Sequence, residues 1–146
     1  MCFAFELLRR KGTEVHTIRR SDTVFEAIGV MAGNGIGSLV VVDGSAVCGI
    51  ITERDYLRKV ALKGRSSRTT TVGEIMTAPV QTASPADTIE TCMQIMTDQR
   101  CRHLPIVEDG RLVGIISIGD IVKQMLHEKE AEVGQLQDYI QGKYPG

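Results

Sequence analysis

The sequence has few aromatic residues, no excess of charge of one sign and no long apolar run, and each absence excludes a class of protein. Aromatic residues make up 4% of the 146 residues and Trp is absent, which argues against a stacking platform for single-stranded nucleic acid. Lys and Arg total 17 against 18 Asp and Glu, so the basic excess of a general nucleic-acid binder is missing. The longest useful apolar run, 38–43, is too short to cross a bilayer. These absences predict a soluble globular chain without nucleic-acid or membrane partners.

The cysteine pattern argues against metal binding and disulfides. The four cysteines form no Cys-x-x-Cys pair, and no histidine follows them at zinc-finger spacing. Cys48 lies in a strand-like apolar run and Cys92 on the apolar face of a helix-like run, where a free Cys acts as a small hydrophobe. We therefore expect reduced thiols in an intracellular protein. No export signal is visible, which predicts a cytoplasmic location, or an organelle matrix if a targeting segment has been removed.

An internal repeat with a spacing of 65 residues organises the chain. Residues 15–59 align without a gap on 80–124, and eleven of the 45 pairs are identical, whereas ordinary composition gives about three by chance. Two copies predict a paired, pseudo-symmetric arrangement, since a solenoid needs at least three units. The predicted parts are repeat 1 at 5–62, a polar exposed linker at 63–71, repeat 2 at 72–127, and an amphipathic helix with a tail at 128–146.

Each copy predicts the same order of elements: a short strand, a helix, a β-hairpin and a second helix. The first strands are expected at 15–18 and 80–83. Asp22 and Asp87 follow these strands and are natural N-caps for the first helices, because apolar residues recur behind each of them at helical spacing.

The hairpins are predicted from the Asp-Gly dipeptides at 43–44 and 109–110, which stand between β-rich runs. The hairpin strands are expected at 39–42, 47–51, 104–107 and 112–116. The second helix of each copy is expected to begin at Thr52 or Ser117. The last helical pattern continues towards the C-terminus, with Val133, Leu136 and Ile140 on one apolar side. We expect this side to pack on its own domain or on a second subunit.

Two stretches combine a strand, a hydroxyl residue and an acid that begins a helix: Gly-Ile-Ile-Thr-Glu-Arg-Asp at 49–55 and Gly-Ile-Ile-Ser-Ile-Gly-Asp at 114–120. A hydroxyl residue followed three positions later by an acid is typical of a capping box, which needs no ligand. The same arrangement suits a nucleotide, because a helix N-terminus attracts phosphate and the acid accepts hydrogen bonds from ribose. On these residues alone both interpretations stay open.

The paired motifs make the chain resemble the cystathionine β-synthase (CBS) domain family. The resemblance covers about residues 5–127 and also rests on 36–42 and 102–107. It implies an α/β (α+β) fold of tandem β-α-β-β-α units, packed as a pseudo-two-fold Bateman module with a C-terminal helical extension. In that family the two packed copies leave two symmetry-related clefts, which bind AMP, ATP, NAD-type dinucleotides or S-adenosylmethionine. The chain is similar to small stand-alone members, and such modules commonly pair into homodimers.

The resemblance also implies ligand-binding residues. Asp55 and Asp120 are assigned to ribose hydroxyls, with Thr52 and Ser117 at the sugar or phosphate. The first strands contribute residues along the adenine edge, and basic residues are assigned to phosphate. The full set is Thr17, Ser38, Thr52, Arg54, Asp55, Thr82, Arg102, His103, Pro105, Ser117 and Asp120.

The two copies differ in charge. Arg102 and His103 align with Gly37 and Ser38, and the planar donors of Arg suit phosphate oxygens. We therefore predict that the cleft containing Asp120 binds a phosphorylated nucleotide, AMP first, more tightly than its counterpart. The alternative is that these basic residues are only solvated or structurally satisfied.

The sequence favours a regulatory sensor over an enzyme. Adenosine-ligand binding would change the shape of a homodimer, which an unidentified regulated protein would read. One alternative is a ligand-free interaction or dimerisation module that uses the C-terminal helix. Another is a small nucleotide-acting enzyme, although no nucleophile–base pair or metal-ligand set appears at recognisable spacing, and we expect no catalytic cofactor.

Overall fold

The computed structural model describes residues 2–140, and side-chain surroundings through residue 131. No helix in this range is long and apolar enough to span a membrane. The helices are α1 Ala4–Lys11, α2 Val24–Asn34, α3 Glu53–Tyr56 with a π-helical continuation Leu57–Ala61, α4 Val72–Ile75, α5 Ile89–Gln99 and α6 Ile118–Ile140. The strands are β1 Thr17–Arg19, β2 Ser38–Asp43, β3 Ala46–Thr52, β4 His103–Glu108 and β5 Arg111–Ser117. This is the predicted mixture of helices and strands in two similar copies.

The two sheets differ at their first strand. In repeat 1, β1 pairs parallel with β2, which pairs antiparallel with β3. In repeat 2 the strand expected at 80–83 is reduced to a single bridge, Ala83 beside Ile106. Pro105 occupies the position of Val40 in the other repeat and has no N–H to donate, so a longer ladder loses a hydrogen bond there.

The helix caps lie one residue later than predicted. Thr23 and Thr88 are the N-caps of α2 and α5, and each side-chain oxygen accepts the backbone N–H three residues further on. Asp22 and Asp87 instead accept the N–H three residues earlier, at 3.0 and 2.8 Å. Their carboxylates therefore close the turn that leads into the helix, and the prediction that they cap the helix is wrong.

The second hairpin turn is confirmed and the first is shifted. Asp109 and Gly110 both have positive φ, 51° and 76°, as a tight two-residue hairpin turn requires. In the first hairpin Asp43 still pairs with Ala46, so the turn consists of Gly44 and Ser45. The glycine, with φ 66°, occupies the first turn position and not the second.

The arms at the start of the two repeats, which contain α1 and α4, are exchanged between them. The arm containing α1 bonds to repeat 2 through a bridge from Phe3 to Thr88, and the arm containing α4 bonds to repeat 1 through a bridge from Thr71 to Thr23. The buried core of repeat 2 accordingly includes residues 2, 4, 7 and 8, and that of repeat 1 includes 72 and 75. Each repeat in the sequence is thus completed by the arm of the other.

Two motif glycines make room for these arms. A Cβ on Gly114 would lie 2.6 Å from Leu8 Cδ2, and a Cβ on Gly49 would lie 2.6 Å from Met76 Sδ. The glycine at the start of each seven-residue motif therefore serves packing of the exchanged arm, because only a residue without Cβ permits this approach.

Most of the linker at 63–71 is exposed, but it is tied to the start of α2. The carbonyls of Ser67 and Thr70 accept hydrogen bonds from Phe25 and Val24, the first residues of α2. Thr70 is buried, and the Arg68 guanidinium lies 4.1 Å from the centroid of the Phe25 ring. The linker therefore satisfies N–H groups at the start of α2 that have no partner within the helix.

The helical pattern predicted to continue towards the C-terminus is present as one helix, α6, whose backbone is helical from Ile118 through Ile140. The predicted apolar side chains Val133, Leu136 and Ile140, and residues 141–146, lie outside the described side chains and residues.

Candidate functional site

The acid of the first motif is fully engaged by the protein. Asp55 Oδ2 accepts the Thr52 N–H at 3.0 Å, and the Asp55 N–H donates to Thr52 Oγ1 at 3.1 Å, which forms a capping box. The Thr77 hydroxyl donates to Oδ1 at 3.3 Å, and Lys59 Nζ lies 3.1 Å from the same oxygen. Asp55 is buried, with 8% of its surface exposed. Both of its oxygens already have partners.

The acid of the second motif keeps one oxygen open. Asp120 Oδ2 accepts the Ser117 N–H at 2.8 Å, and the Asp120 N–H donates to Ser117 Oγ at 3.1 Å. Lys11 Nζ lies 2.5 Å from the same Oδ2 and also donates to the Ile115 carbonyl at 2.9 Å. Within residues 2–131, Oδ1 accepts no hydrogen bond. The capping interpretation is therefore confirmed for both motifs, but only at Asp120 does it leave an acceptor free.

The second carboxylate is held in its ionised form. Burial acts to raise the pKa of Asp120, but the hydrogen bond from Lys11, the hydrogen bonds from Ser117 and the charge of Lys11 outweigh it. The net pKa lies below the ordinary value, since hydrogen bonds to the charged form favour that form. An ionised carboxylate with a free oxygen is a strong hydrogen-bond acceptor.

Hairpin register brings the other predicted residues to the same ends of the sheets. Ser38 pairs with Thr52 across the first hairpin, and His103 pairs with Ser117 across the second. The N–H of Ile118 donates to the carbonyl of Arg102. Arg102 and His103 therefore lie beside the start of α6 and the Asp120 motif. We call the predicted site made of Arg102, His103, Ser117 and Asp120 the Asp120 cleft.

The histidine of this cleft is partly buried. Burial lowers the pKa of His103, the ammonium of Lys11 lowers it further, and Asp120 acts in the opposite direction. His103 is therefore predominantly neutral at neutral pH, so its imidazole offers one donor and one acceptor there.

The remaining predicted residues lie around these centres with different exposure. Thr17 is exposed on β1 and pairs with Val40. Thr82 is exposed directly before Ala83, and Arg54 is exposed on the first turn of α3. Pro105 is buried within β4, so its ring is part of the packed sheet. Their roles towards a ligand stay predictions.

Sequence reasoning missed the two lysines that hold the motif acids. Lys59 lies four residues after Asp55 on the same helical segment, and this spacing is a usable signal for an ion pair. Lys11 has no such signal, because it precedes Asp120 by 109 residues and reaches it through the exchanged arm. Thr77 reaches Asp55 from the other arm in the same way.

The cysteines occupy apolar surroundings. Cys2 and Cys92 are buried and Cys48 and Cys101 are partly buried, all as free thiols. Burial raises the pKa of all four, that of Cys92 to about 11. These thiols are protonated at neutral pH, and a protonated thiol is neither a nucleophile nor a good metal ligand.

Comparison with known proteins gives consistent similarities. A family model described as CBS domain matches twice, at residues 6–62 and 72–127. The chain is 46% identical over 128 residues to the CBS domain-containing protein CBSX3, mitochondrial, of Arabidopsis thaliana, which covers 84% of this chain and 62% of that protein. The chain therefore spans less than two thirds of that relative's length.

Two solved structures share the fold. A CBS-domain containing protein from Agrobacterium tumefaciens has a TM-score of 0.77 and 43% identity, over 84% of this chain and 98% of that chain. A hexameric CBS-CP12 protein from bloom-forming cyanobacteria has a TM-score of 0.72 and 32% identity, over 82% of this chain and 66% of that chain. The paired repeats therefore have counterparts both nearly alone and within a longer, assembled protein.

Proposed function

The chain belongs to the CBS domain family, whose small stand-alone members are typically regulatory, and on that premise we propose that it is a regulatory module that binds an adenosine-containing nucleotide. The site is the Asp120 cleft, with Arg102, His103, Ser117 and Asp120. AMP is the first choice of ligand, and ATP, NAD(H) and S-adenosylmethionine are the alternatives. The observation that carries the proposal is the unequal engagement of the two motif carboxylates.

The free oxygen of Asp120 suits a ribose. Oδ2 is committed to Ser117 and Lys11, whereas Oδ1 has no partner among residues 2–131. The two adjacent hydroxyls of a ribose are donors that an ionised carboxylate accepts. A sugar bound at Oδ1 leaves the helix cap intact, so binding costs no local unfolding.

The first cleft is a poorer site on the same reasoning. A ribose at Asp55 has to displace the Thr77 hydroxyl or the Lys59 ammonium, which occupy Oδ1 at 3.3 and 3.1 Å. Breaking a hydrogen bond to a charged group costs about 1.5–3 kcal/mol. That cost lowers the affinity of the Asp55 cleft relative to the Asp120 cleft.

Phosphate binding is supported by charge at the start of α6. The N-terminus of this long helix carries partial positive charge and favours anions. Arg102 is exposed, and its backbone is tied to the first residue of α6. An exposed guanidinium on backbone that is anchored at the helix N-terminus is suited to paired hydrogen bonds with phosphate oxygens.

The proposal is tested by ligand-dependent melting of Asp120→Asn, with Asp55→Asn as the matched control. Asn keeps an acceptor for the helix cap and removes the charge. Saturating AMP at a hundredfold excess over Kd is expected to stabilise the unsubstituted protein by about 2.7 kcal/mol. Asp120→Asn is expected to weaken AMP binding at least about tenfold, which equals 1.4 kcal/mol, and Asp55→Asn much less. Equal effects of both substitutions, or no response to any adenosine ligand, would contradict the proposal.

Ligand identity is resolved by comparing AMP with adenosine, ATP, NAD and S-adenosylmethionine on the same protein. If Arg102 binds phosphate, Arg102→Gln weakens AMP binding but not adenosine binding. If the substitution weakens both equally, Arg102 acts on the sugar or on the fold and not on phosphate.

The alternative of an interaction module is favoured by one surface. Four exposed apolar side chains form a stripe on α6, with 40–56% of their surface exposed: Ile118, Val122, Met125 and Leu126. We propose that this stripe joins two copies of the chain. Light scattering of Val122→Glu against the matched surface variant Lys129→Glu tests it, with a monomer expected only for the first. Nucleotide binding retained by that monomer would separate assembly from sensing.

We propose a cytoplasmic protein, or one of an organelle matrix. The mitochondrial designation in the name of the plant relative supports the second location. Fractionation of cells that express the tagged full-length protein distinguishes them.

A further inference from the structure

A cleft of about 270 Å³ between α1 and α6 collects basic side chains. Arg10 and Lys11 line it from the end of α1, and Lys123 and His127 line it from α6. Asp120 forms part of its wall. We call this space the α1–α6 cleft. Arg102, His103 and Ser117 do not line it, so Asp120 is the one residue of the proposed nucleotide site that it shares.

Two of the cations are held in place. The Arg10 guanidinium donates to Gln124 Oε1, and the Gln124 side-chain amide donates to Glu128 Oε1 at 3.2 Å. Gln124 is buried, with 8% of its surface exposed. Lys11 is fixed by its bonds to Asp120 and the Ile115 carbonyl. Donors that are already positioned lose less entropy when an anion binds.

The charge balance of the lining favours an anion. Arg10, Lys11 and Lys123 are cationic and only Asp120 is anionic among the lining residues, which leaves a formal excess of two positive charges. Within residues 2–131, Lys123 has no ion-pair partner. A concave surface lined by charge of one sign concentrates ligands of the opposite sign.

The fold does not impose this charge. Phe3 and Thr71 form the equivalent bridges to the two repeats, so the arms correspond at a spacing of 68 residues. At this spacing Arg10 and Lys11 correspond to Ala78 and Pro79. The arm that contains α4 therefore carries no cation at these positions, and the two cations belong to the arm that contains α1 alone.

The size of the cleft limits the ligand. Pockets for drug-sized ligands begin at about 300 Å³, and this cleft is smaller. It is suited to a small anion and not to a whole nucleotide. We propose that the α1–α6 cleft binds a phosphate or diphosphate group, supplied either by a free inorganic anion or by the phosphate end of a nucleotide held on the other side of Asp120.

The test is calorimetric titration of the full-length protein with inorganic pyrophosphate, inorganic phosphate and ADP. The double substitution Arg10→Gln with Lys123→Gln removes two cations from the cleft. Its matched control, Arg9→Gln with Lys63→Gln, removes two exposed cations elsewhere. We expect saturable binding of pyrophosphate that weakens about tenfold or more in the cleft variant and less than about twofold in the control. Lys123→Gln alone provides a second variant that disturbs no hydrogen bond among the described side chains.

The outcomes separate the two sources of phosphate. If the cleft variant loses pyrophosphate binding and keeps ADP binding, the ligand is a free anion. If pyrophosphate does not bind and the cleft variant loses ADP binding, the ligand is the phosphate end of a nucleotide. Equal weakening in cleft and control variants, or no saturable binding of any of the three probes, overturns the inference. Titration with adenosine, which carries no phosphate, probes the Asp120 cleft alone, so failure here and failure of the nucleotide site are distinguishable.

Discussion

Lys11 Nζ lies 2.5 Å from Asp120 Oδ2, although the two residues are 109 positions apart in the chain. The same ammonium donates to the carbonyl of Ile115. In the first repeat the equivalent acid, Asp55, obtains its ammonium from Lys59, one helical turn away, which donates to the Ile75 carbonyl. Both acids are thus neutralised by a lysine that also bonds a main-chain oxygen, but one lysine is local and the other is supplied by an exchanged arm.

Replacing the distant lysine will weaken the fold and change its acid sensitivity. Lys11→Met, which removes the ammonium and keeps an unbranched side chain, is expected to cost about 1 kcal/mol at neutral pH. The pKa of Asp120 lies below its ordinary value. The ionised carboxylate therefore stabilises the folded protein above the ordinary pKa, and this stabilisation is lost as pH falls through the folded-state pKa. The cost of Lys11→Met is therefore expected to shrink at acid pH.

Urea denaturation at pH 7 and at successively lower pH measures this cost. Lys59→Met is the control, because Lys59 is the more exposed of the two lysines, with 44% of its side chain accessible against 29% for Lys11. A cost for Lys11→Met that stays constant down to pH 3 would exclude the ion pair as its source.

A second pH dependence is expected from His103, which faces Lys11, Arg102 and Asp120. Burial and Lys11 lower its pKa in the folded protein below the ordinary 6.5. The unfolded chain then takes up the proton first as pH decreases, so the free energy of unfolding falls below pH 6.5. His103→Gln is expected to flatten the stability profile between pH 7 and pH 5 and to leave its shape above pH 7.5 unchanged. An unaltered slope in this variant would show that other groups cause the dependence.

The arm packing predicts a coupled pair of substitutions. Gly114→Ala places a methyl group 2.6 Å from Leu8 Cδ2 and is expected to cost about 1–3 kcal/mol. Leu8→Ala alone is expected to cost about 2–5 kcal/mol, because Leu8 is buried. In the double variant the clash disappears, so the total is expected to be smaller than the sum by at least about 0.5 kcal/mol. Chemical denaturation of the three variants measures this coupling, and strict additivity would contradict the contact.

The end of α5 carries a strained arginine. Arg100 has φ 53°, in the left-handed region, where the equivalent residue of repeat 1 is Gly35 with φ 64°. A non-glycine residue in this region costs about 1–3 kcal/mol, so Arg100→Gly is expected to stabilise the protein by about 1 kcal/mol after the entropy cost of Gly. Gly35→Ala is expected to destabilise it by a similar amount. Differential scanning calorimetry compares them, and a lower melting temperature for Arg100→Gly would refute the strain.

Element order was accessible from local patterns. The repeat, the helical periodicity and the turn dipeptides predict two copies of strand, helix, hairpin and helix, because these features depend on neighbours a few residues apart. The position of the helix cap was missed, because two neighbouring residues can both accept hydrogen bonds from the backbone. Thr23 and not Asp22 caps α2, since the carboxylate is already used by the preceding turn.

By itself, the sequence determined that two related motifs end in an acid at the start of a helix, because a hydroxyl residue and an acid at this spacing form a capping box wherever a helix begins. Only the tertiary structure decided that the acids are unequal. The exchange of arms places Thr77 beside Asp55 and Lys11 beside Asp120, and these contacts leave one oxygen free on the second acid alone. Contacts between residues so far apart depend on how the two cores pack, and no local pattern carries that information.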